Sequence, residues 1–182
     1  MNKIMARLLY EPVRSINSGF YAWIDPTEDS FPILHYLQTY LKKVSSKINL
    51  PIKMDDSTKL HVTLMYHSVG ESLPDLIDLP RGLPKDQIVY ITNPSSLTFF
   101  GKHLVLLLDS PELHEIHEQL RNLGFHHSFR SFQPHLTLGK TEDGAGDSLR
   151  GSFLDKVNET LRSSVVPLSL GPQLFCAPIQ DD

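Results

Sequence analysis

Lys59–Tyr66 reads KLHVTLMY, and Gln133–Gly139 reads QPHLTLG. At the heart of these stretches, His61-Val62-Thr63-Leu64 and His135-Leu136-Thr137-Leu138 are one tetrapeptide with a single apolar exchange. Each run is short and rich in apolar and β-branched residues, which predicts a strand in both places. Along a strand, residues i and i+2 share a face. His61 and Thr63 therefore point one way while Val62 and Leu64 point the other, and His135 and Thr137 divide from Leu136 and Leu138 in the same manner. Two such strands side by side bring two imidazoles and two hydroxyls into one cleft, with the apolar residues anchored in the core behind. The same alternation assigns His67 to the cleft side, at a solvent-exposed strand end, and Tyr66 to the far face.

The elements around the two motifs repeat. Gly19–Asp25 (GFYAWID) reads as a first strand ending at the Asp25-Pro26 turn signal. Leu34, Leu37, Leu41, Val44 and Ile48 recur at helical spacing over Ser30–Ile48, with Ser30 as cap and Pro32 in the first turn. After the first motif, Pro74, Pro80, Gly82 and Pro84 mark Gly70–Asp86 as an irregular loop. Gln87–Thr92 and Ser95–Phe100 read as two short strands, or one strand bent near Asn93-Pro94. A turn at Gly101-Lys102 leads into the apolar strand Leu104–Leu108. Ser110-Pro111-Glu112 opens a second helix with the stripe Leu113, Ile116, Leu120 and Leu123, ended by Gly124. A loop over Asp143–Ser148, a third helix over Phe153–Leu161 and closing strand material over Val165–Cys176 complete the chain. Strand, helix, H-x-T strand is thus written twice, which predicts an α+β fold of two similar halves.

Composition sets the outer limits. A chain of 182 residues, 40% hydrophobic and 21% charged, suits one domain with a full core. Residues 18–182 are read as that domain, preceded by an N-terminal segment over 1–17. The net charge of −4 and pI near 6.1 weigh against a protein that coats long duplex nucleic acid, so a phosphate ligand has to be met by a local pocket. A single cysteine, Cys176, rules out an internal disulfide and any multi-cysteine zinc site. No stretch is apolar and long enough for a membrane span, and Arg7 interrupts the short apolar run near the start. The expected location is the cytoplasm.

Two histidines and two threonines in one cleft are what metal-free cleavage of an RNA-type phosphodiester requires. One neutral imidazole takes the proton of the attacking hydroxyl, and the other, protonated, gives a proton to the leaving oxygen. Histidine's ordinary pKa of ~6.5 allows both forms near neutral pH. The threonine hydroxyls can donate to non-bridging oxygens, whose charge grows in the transition state. No cofactor is called for. The other histidines weigh less. His114 and His117 are three apart on a helix and His126-His127 are adjacent, but helix histidines off the apolar stripe are usually solvated, so no metal site is expected. Lys140, just after the second motif, is a candidate for neutralising phosphate. Trp23 alternates with Tyr21, although a large apolar strand residue more often belongs to the core. The glycines Gly144 and Gly146 make too short a run for a phosphate-binding fingerprint.

The paired H-x-T-L strands in a duplicated α/β setting resemble the 2H phosphoesterase superfamily. The match covers most of the chain from about Ser18. Within that superfamily, the text is most similar to the phage-encoded anti-CBASS cyclic-oligonucleotide phosphodiesterases, through Gly19-Phe20-Tyr21, through Lys59-Leu60-His61-x-Thr63 ending in Tyr66, and through Phe132–Leu138. The resemblance implies a bilobal fold with two antiparallel-rich sheets lining a central cleft and helices outside. It implies His61, Thr63, His135 and Thr137 as a catalytic tetrad that opens 3′–5′ linkages of cyclic di- and trinucleotides in the bacterial host. It also implies contacts from Tyr21 to base or ribose and from Phe100 to a stacked base. Phe100 stands where the family pattern has a tryptophan, and Gln173 where it has an acidic base-reading residue. Two other readings keep the same cleft: a 2′,3′-cyclic or 2′–5′ phosphodiesterase acting on RNA ends or linear oligonucleotides, and a non-catalytic nucleotide sponge.

Overall fold

Eight strands, all paired antiparallel, form the frame that carries both motifs. The computed structural model describes residues 19–68, 87–92, 94–129, 131–142, 145–164 and 166–179. The N-terminal segment 1–17 and the loop expected over Gly70–Asp86 lie outside the described residues. In chain order the elements are β1 (Gly19–Pro26), α1 (Phe31–Lys47), β2 (Ile52–Met54), β3 (Val62–His67), β4 (Val89–Ile91), β5 (Pro94–Phe100), β6 (His103–Leu108), α2 (Pro111–Asn122), β7 (His135–Thr141), α3 (Asp147–Arg162) and β8 (Leu168–Ile179). The strands run β4-β8-β1-β3-β7-β6-β5, with β2 added to β7.

Two lobes are visible in that order. The first is β4-β8-β1-β3 and the second is β2 with β7-β6-β5. They meet between the motif strands at one bridge, Val62 opposite Leu136. β4 and β5 sit at opposite ends of the strand order, yet Ile91 and Pro94 are three Cα steps apart, at most about 11 Å. A short tether between the two edges requires the sheet to curl, leaving one face concave. The doubled pattern predicts two similar halves, and the antiparallel lobes with helices outside are what the resemblance implies.

Packing follows the apolar periodicities. Leu34, Leu37, Leu41 and Val44 of α1, Leu113, Ile116 and Leu120 of α2, and Phe153, Val157 and Leu161 of α3 are buried against the strands. The caps follow the sequence in one case and not in another. Ser110 accepts from the backbone N–H of Leu113, as an N-cap should. Ser30 instead ends a 3-10 turn in helical conformation, and its hydroxyl donates to the Ser169 carbonyl of β8. Two boundaries also shift. Lys59 belongs to a 3-10 turn over Ser57–Lys59, so the first motif strand starts at Val62. The third helix begins at Asp147, well before the apolar stripe that announces it.

Candidate active site

Both motif strands carry the same irregularity. Trp23 pairs with Thr63 and Ala22 with Met65, so Leu64 is an extra residue on β3. Val105 pairs with Thr137 and Leu104 with Gly139, so Leu138 is the extra residue on β7. A bulge of this kind resets the two-residue alternation beyond it. Leu64 and Met65 are consequently both buried, Tyr66 lies on the side of Thr63, and His67 is in the core at 0% exposure. The strict alternation predicts the reverse for Tyr66 and His67, and the bulge is the physical reason it fails there. In β7 the same reset leaves Leu138 and Gly139 buried and turns Lys140 to the face of His135 and Thr137.

The bulge carbonyls are held from behind, each by a helix of the opposite half. His117 of α2 donates its Nδ1 proton to the Leu64 carbonyl at 2.7 Å. Gln38 of α1 donates to the Leu138 carbonyl at 2.9 Å and to the Asp55 carbonyl at 2.8 Å. A polar group left unpaired by an interrupted ladder has to be satisfied when buried. His117 and Gln38 are both buried, and burial lowers the His117 pKa, keeping the ring neutral. His117 is therefore not the solvated helix histidine expected from its sequence. It lies four residues after Leu113 and so on the apolar stripe, as Gln38 does relative to Leu34.

The bridge between Val62 and Leu136 brings the two motifs into register. Antiparallel continuation through that pair sets Thr63 across from His135, and His61 across from Thr137. All four residues are half-buried on the concave face. Each imidazole turns its Nδ1 to the carbonyl two residues earlier, His61 to Lys59 at 3.4 Å and His135 to Gln133 at 2.7 Å. A carbonyl can only accept, so Nδ1 carries the proton, and Nε2 is the ring nitrogen turned away from that backbone contact. At His61 that nitrogen is 2.6 Å from the Tyr21 hydroxyl, which is 2.9 Å from Thr63 Oγ1. Thr63, Tyr21 and His61 form one hydrogen-bonded chain. Burial raises the Tyr21 pKa, the bond to Thr63 opposes that, and the nearby Asp25 carboxylate adds to it.

Aromatic rings wall the first lobe. Trp23 stacks on Tyr21 and on Phe175, its centroid 5.1 Å from one and 5.4 Å from the other. Trp23 is half-buried beside His61, so it lines the cleft rather than the core. Asp25 follows on the same face. Burial raises its pKa, while attraction to His61 and a hydrogen bond from Trp23 pull the other way. Gln173 is half-buried next to Leu174, which pairs with Ile24 just before the register of β1 and β8 shifts. In the second lobe Phe100 lies edge-on to His135 at 5.0 Å.

His67, His117, His126 and His127 gather behind β3. His67 Nδ1 accepts from the His126 backbone N–H at 3.0 Å, and His127 Nδ1 accepts from the Tyr66 N–H at 3.3 Å. Burial, with the neighbouring His117 and Arg121, lowers the His127 pKa to about 4. Among the described residues, no group of three or more His, Cys, Asp or Glu side chains could hold a metal ion. The sequence reading missed Gln38, Asp25, the direct bond of Tyr21 to His61, and the carbonyls of Lys59 and Gln133. Only the stripe positions of Gln38 and His117 had a visible signal.

Comparison with known proteins now adds to this geometry. Residues 30–148, nearly two thirds of the chain, match the family model described as Anti-CBASS protein Acb1. The chain belongs to the Acb1 family. No curated protein sequence matches it. Among solved structures it is similar to Usb1 of Kluyveromyces marxianus with uridine monophosphate, at 14% identity and a TM-score of 0.57 over 90% of this chain and 99% of that one. It is also similar to TT0787 of Thermus thermophilus, at 15% identity and a TM-score of 0.50 over 89% and 84% of the two chains. These neighbours have the 2H phosphoesterase fold. The description of the Acb1 family gives it an anti-CBASS role. No helix among its described residues is long and apolar enough to cross a membrane.

Proposed function

We propose that this Acb1-family protein cleaves 3′–5′ linkages of cyclic di- or trinucleotides, disarming a nucleotide signal in the cytoplasm of a phage-infected bacterium. The observation that supports this most is the Val62–Leu136 bridge, which sets the two H-x-T motifs against each other. In the reaction, the Nε2 of one histidine removes the proton of a ribose 2′-hydroxyl. The 2′ oxygen forms a bond to phosphorus, the bond from phosphorus to the 5′ oxygen breaks, and the second histidine protonates that leaving oxygen. Thr63 and Thr137 donate to the non-bridging oxygens as their charge increases. Every proton is carried by a side chain of this protein, so the scheme needs no metal. Tyr21, hydrogen-bonded to both His61 and Thr63, keeps the first pair aligned before substrate arrives and then contacts ribose. Phe100 and Gln173 face the bases, and Lys140 offsets phosphate charge. Residues 18–182 act as a single domain.

The purified protein is to be incubated in EDTA with cyclic dinucleotides, cyclic trinucleotides, linear 2′–5′ oligonucleotides and 2′,3′-cyclic phosphates. Linearisation of cyclic substrates, undiminished by the chelator, is the expected result. Loss of all activity with EDTA would overturn the metal-free scheme. Cleavage confined to linear or 2′,3′-cyclic substrates would move the assignment to RNA-end chemistry, and tight binding without turnover would make the protein a sponge.

A further inference from the structure

Beyond Thr137, strand pairing lines up four side chains across the second lobe. Lys53 of β2 pairs with Lys140 of β7, Lys140 with His103 of β6, and His103 with Phe100 of β5. Directly opposed residues of antiparallel strands share a face. Here it is the face of His135 and Thr137, because the bulge at Leu138 returns Lys140 to it. Lys53, Lys140 and His103 are all exposed on that face.

Like charges set directly opposite each other cost stability. Among the described residues, no ion pair or side-chain hydrogen bond relieves Lys53, Lys140 or His103. Of the acidic residues flanking the row in sequence, Asp56 is taken up by the Thr58 backbone and hydroxyl, and Asp55 and Glu142 pair with neither lysine. Arg150 works on the opposite face, bonded to Gly101 and Thr141 and lying over Phe99. At the corresponding position of the first lobe, Tyr21 pairs with Tyr66, two uncharged rings. The chain as a whole is acidic, so a concentrated basic row in its cleft points to an anionic ligand.

We propose that Lys53, Lys140 and His103 form a second phosphate subsite, holding a phosphodiester other than the one being cleaved. The proposal rests on the phosphodiesterase reading above and narrows it to substrates with at least two phosphodiester groups. Thr137 and Lys140 are three residues apart, at most about 10 Å of strand, and the lysine stem adds reach. Neighbouring phosphates of one small oligonucleotide can occupy the tetrad and the row together. Lysine ammonium groups, as mobile point charges, suit a phosphate whose orientation need not be fixed.

Binding by calorimetry separates this subsite from the catalytic centre. The protein with both lysines, Lys53→Gln and the Lys53→Gln/Lys140→Gln double variant, each carrying His61→Ala so that the ligand is not consumed, are titrated with a 3′–5′ cyclic dinucleotide and with adenosine 3′-monophosphate. The dinucleotide should bind about ten-fold more weakly for each lysine removed, and the slope of log Kd against log salt should fall by about one per lysine. Affinity for the monophosphate should change less than about three-fold. Lys53→Gln should melt at the same or a higher temperature, since it relieves a like-charge pair. Equal weakening for both ligands, or an unchanged dinucleotide affinity, would overturn the subsite. Wild type that binds the dinucleotide but leaves it intact would instead overturn the cleavage reading, and the Kd comparison would still decide the subsite.

Discussion

The two halves of the protein place the same tetrapeptide in the same local geometry and then surround it differently. β1–α1–β3 and β6–α2–β7 each carry a bulge one residue after the threonine, and each bulge carbonyl is held by a helix from the other half. Around the first motif stand Tyr21, Trp23, Tyr66 and Phe175, and the Tyr21 hydroxyl bonds His61 and Thr63 directly. Around the second stand Lys140, Lys53 and His103, with His135 held firmly by its own backbone at 2.7 Å. Matched geometry with unmatched surroundings suits a reaction in which one imidazole has to accept a proton and the other to donate it.

The severest way to break the symmetry is to remove one imidazole at a time. His61→Ala and His135→Ala should each lower kcat about 10²–10⁴-fold while the Kd for substrate stays within about three-fold. The double variant should be little slower than either single, because residues acting as a unit are not additive. A single variant with a near-normal rate would remove its histidine from the chemistry.

The next contrast concerns Met65 and Gly139, which follow the bulge residue in each half. β2 pairs with β7 there, and a Cβ on Gly139 would lie 2.5 Å from the Lys53 carbonyl oxygen and 2.9 Å from the Met54 Cα. Gly139→Ala should destabilise by about 2 kcal/mol through displaced backbone, read from urea unfolding. Met65 already has its side chain packed in the core, so Met65→Leu, which conserves volume, should cost less than about 1.5 kcal/mol.

The buried clamps differ in a finer way. The Leu138 carbonyl keeps the Asp55 N–H at 3.0 Å if Gln38 is lost, whereas the Leu64 carbonyl depends on the buried His117 side chain. His117→Leu should therefore cost about 2 kcal/mol in denaturant unfolding and Gln38→Leu about 1 kcal/mol. Equal costs would show that the two bulges are not held as differently as their bonds imply.

The smallest effect is on pH. The folded-state pKa of His127, about 4, is below the ordinary histidine value of 6.5. The unfolded chain thus binds the proton more readily. This contribution to stability is complete above pH 6.5 and is lost as pH falls toward 4. Because the ring is only half-buried, solvent screening reduces it to on the order of 1 kcal/mol. The melting temperature should drop more steeply over that range in wild type than in His127→Asn, and parallel curves would remove His127 as the cause.

Much of this was legible in the chain itself. The strands beginning at Gly19 and at the two motifs, the helices at Leu34 and Leu113, and the face shared by each histidine and its threonine all follow from periodicity over a few residues. Tyr66, His67 and Trp23 were not legible, and His117 was legible only through its place on the helix stripe. For Tyr66 and His67, alternation holds only until a bulge, and a bulge depends on what the partner strand offers. His117 looked like a surface group until the fold supplied a buried carbonyl for it.

By itself, then, the sequence determined that two matching H-x-T-L strands exist and which side of each carries the histidine and threonine, because side-chain direction in a short strand is a local property. The tertiary structure alone decided that these strands touch at Val62 and Leu136, that Tyr21 reaches His61, and that Lys53, Lys140 and His103 share one row. Those are matters of register between distant segments, set by how the curled sheet closes over its core.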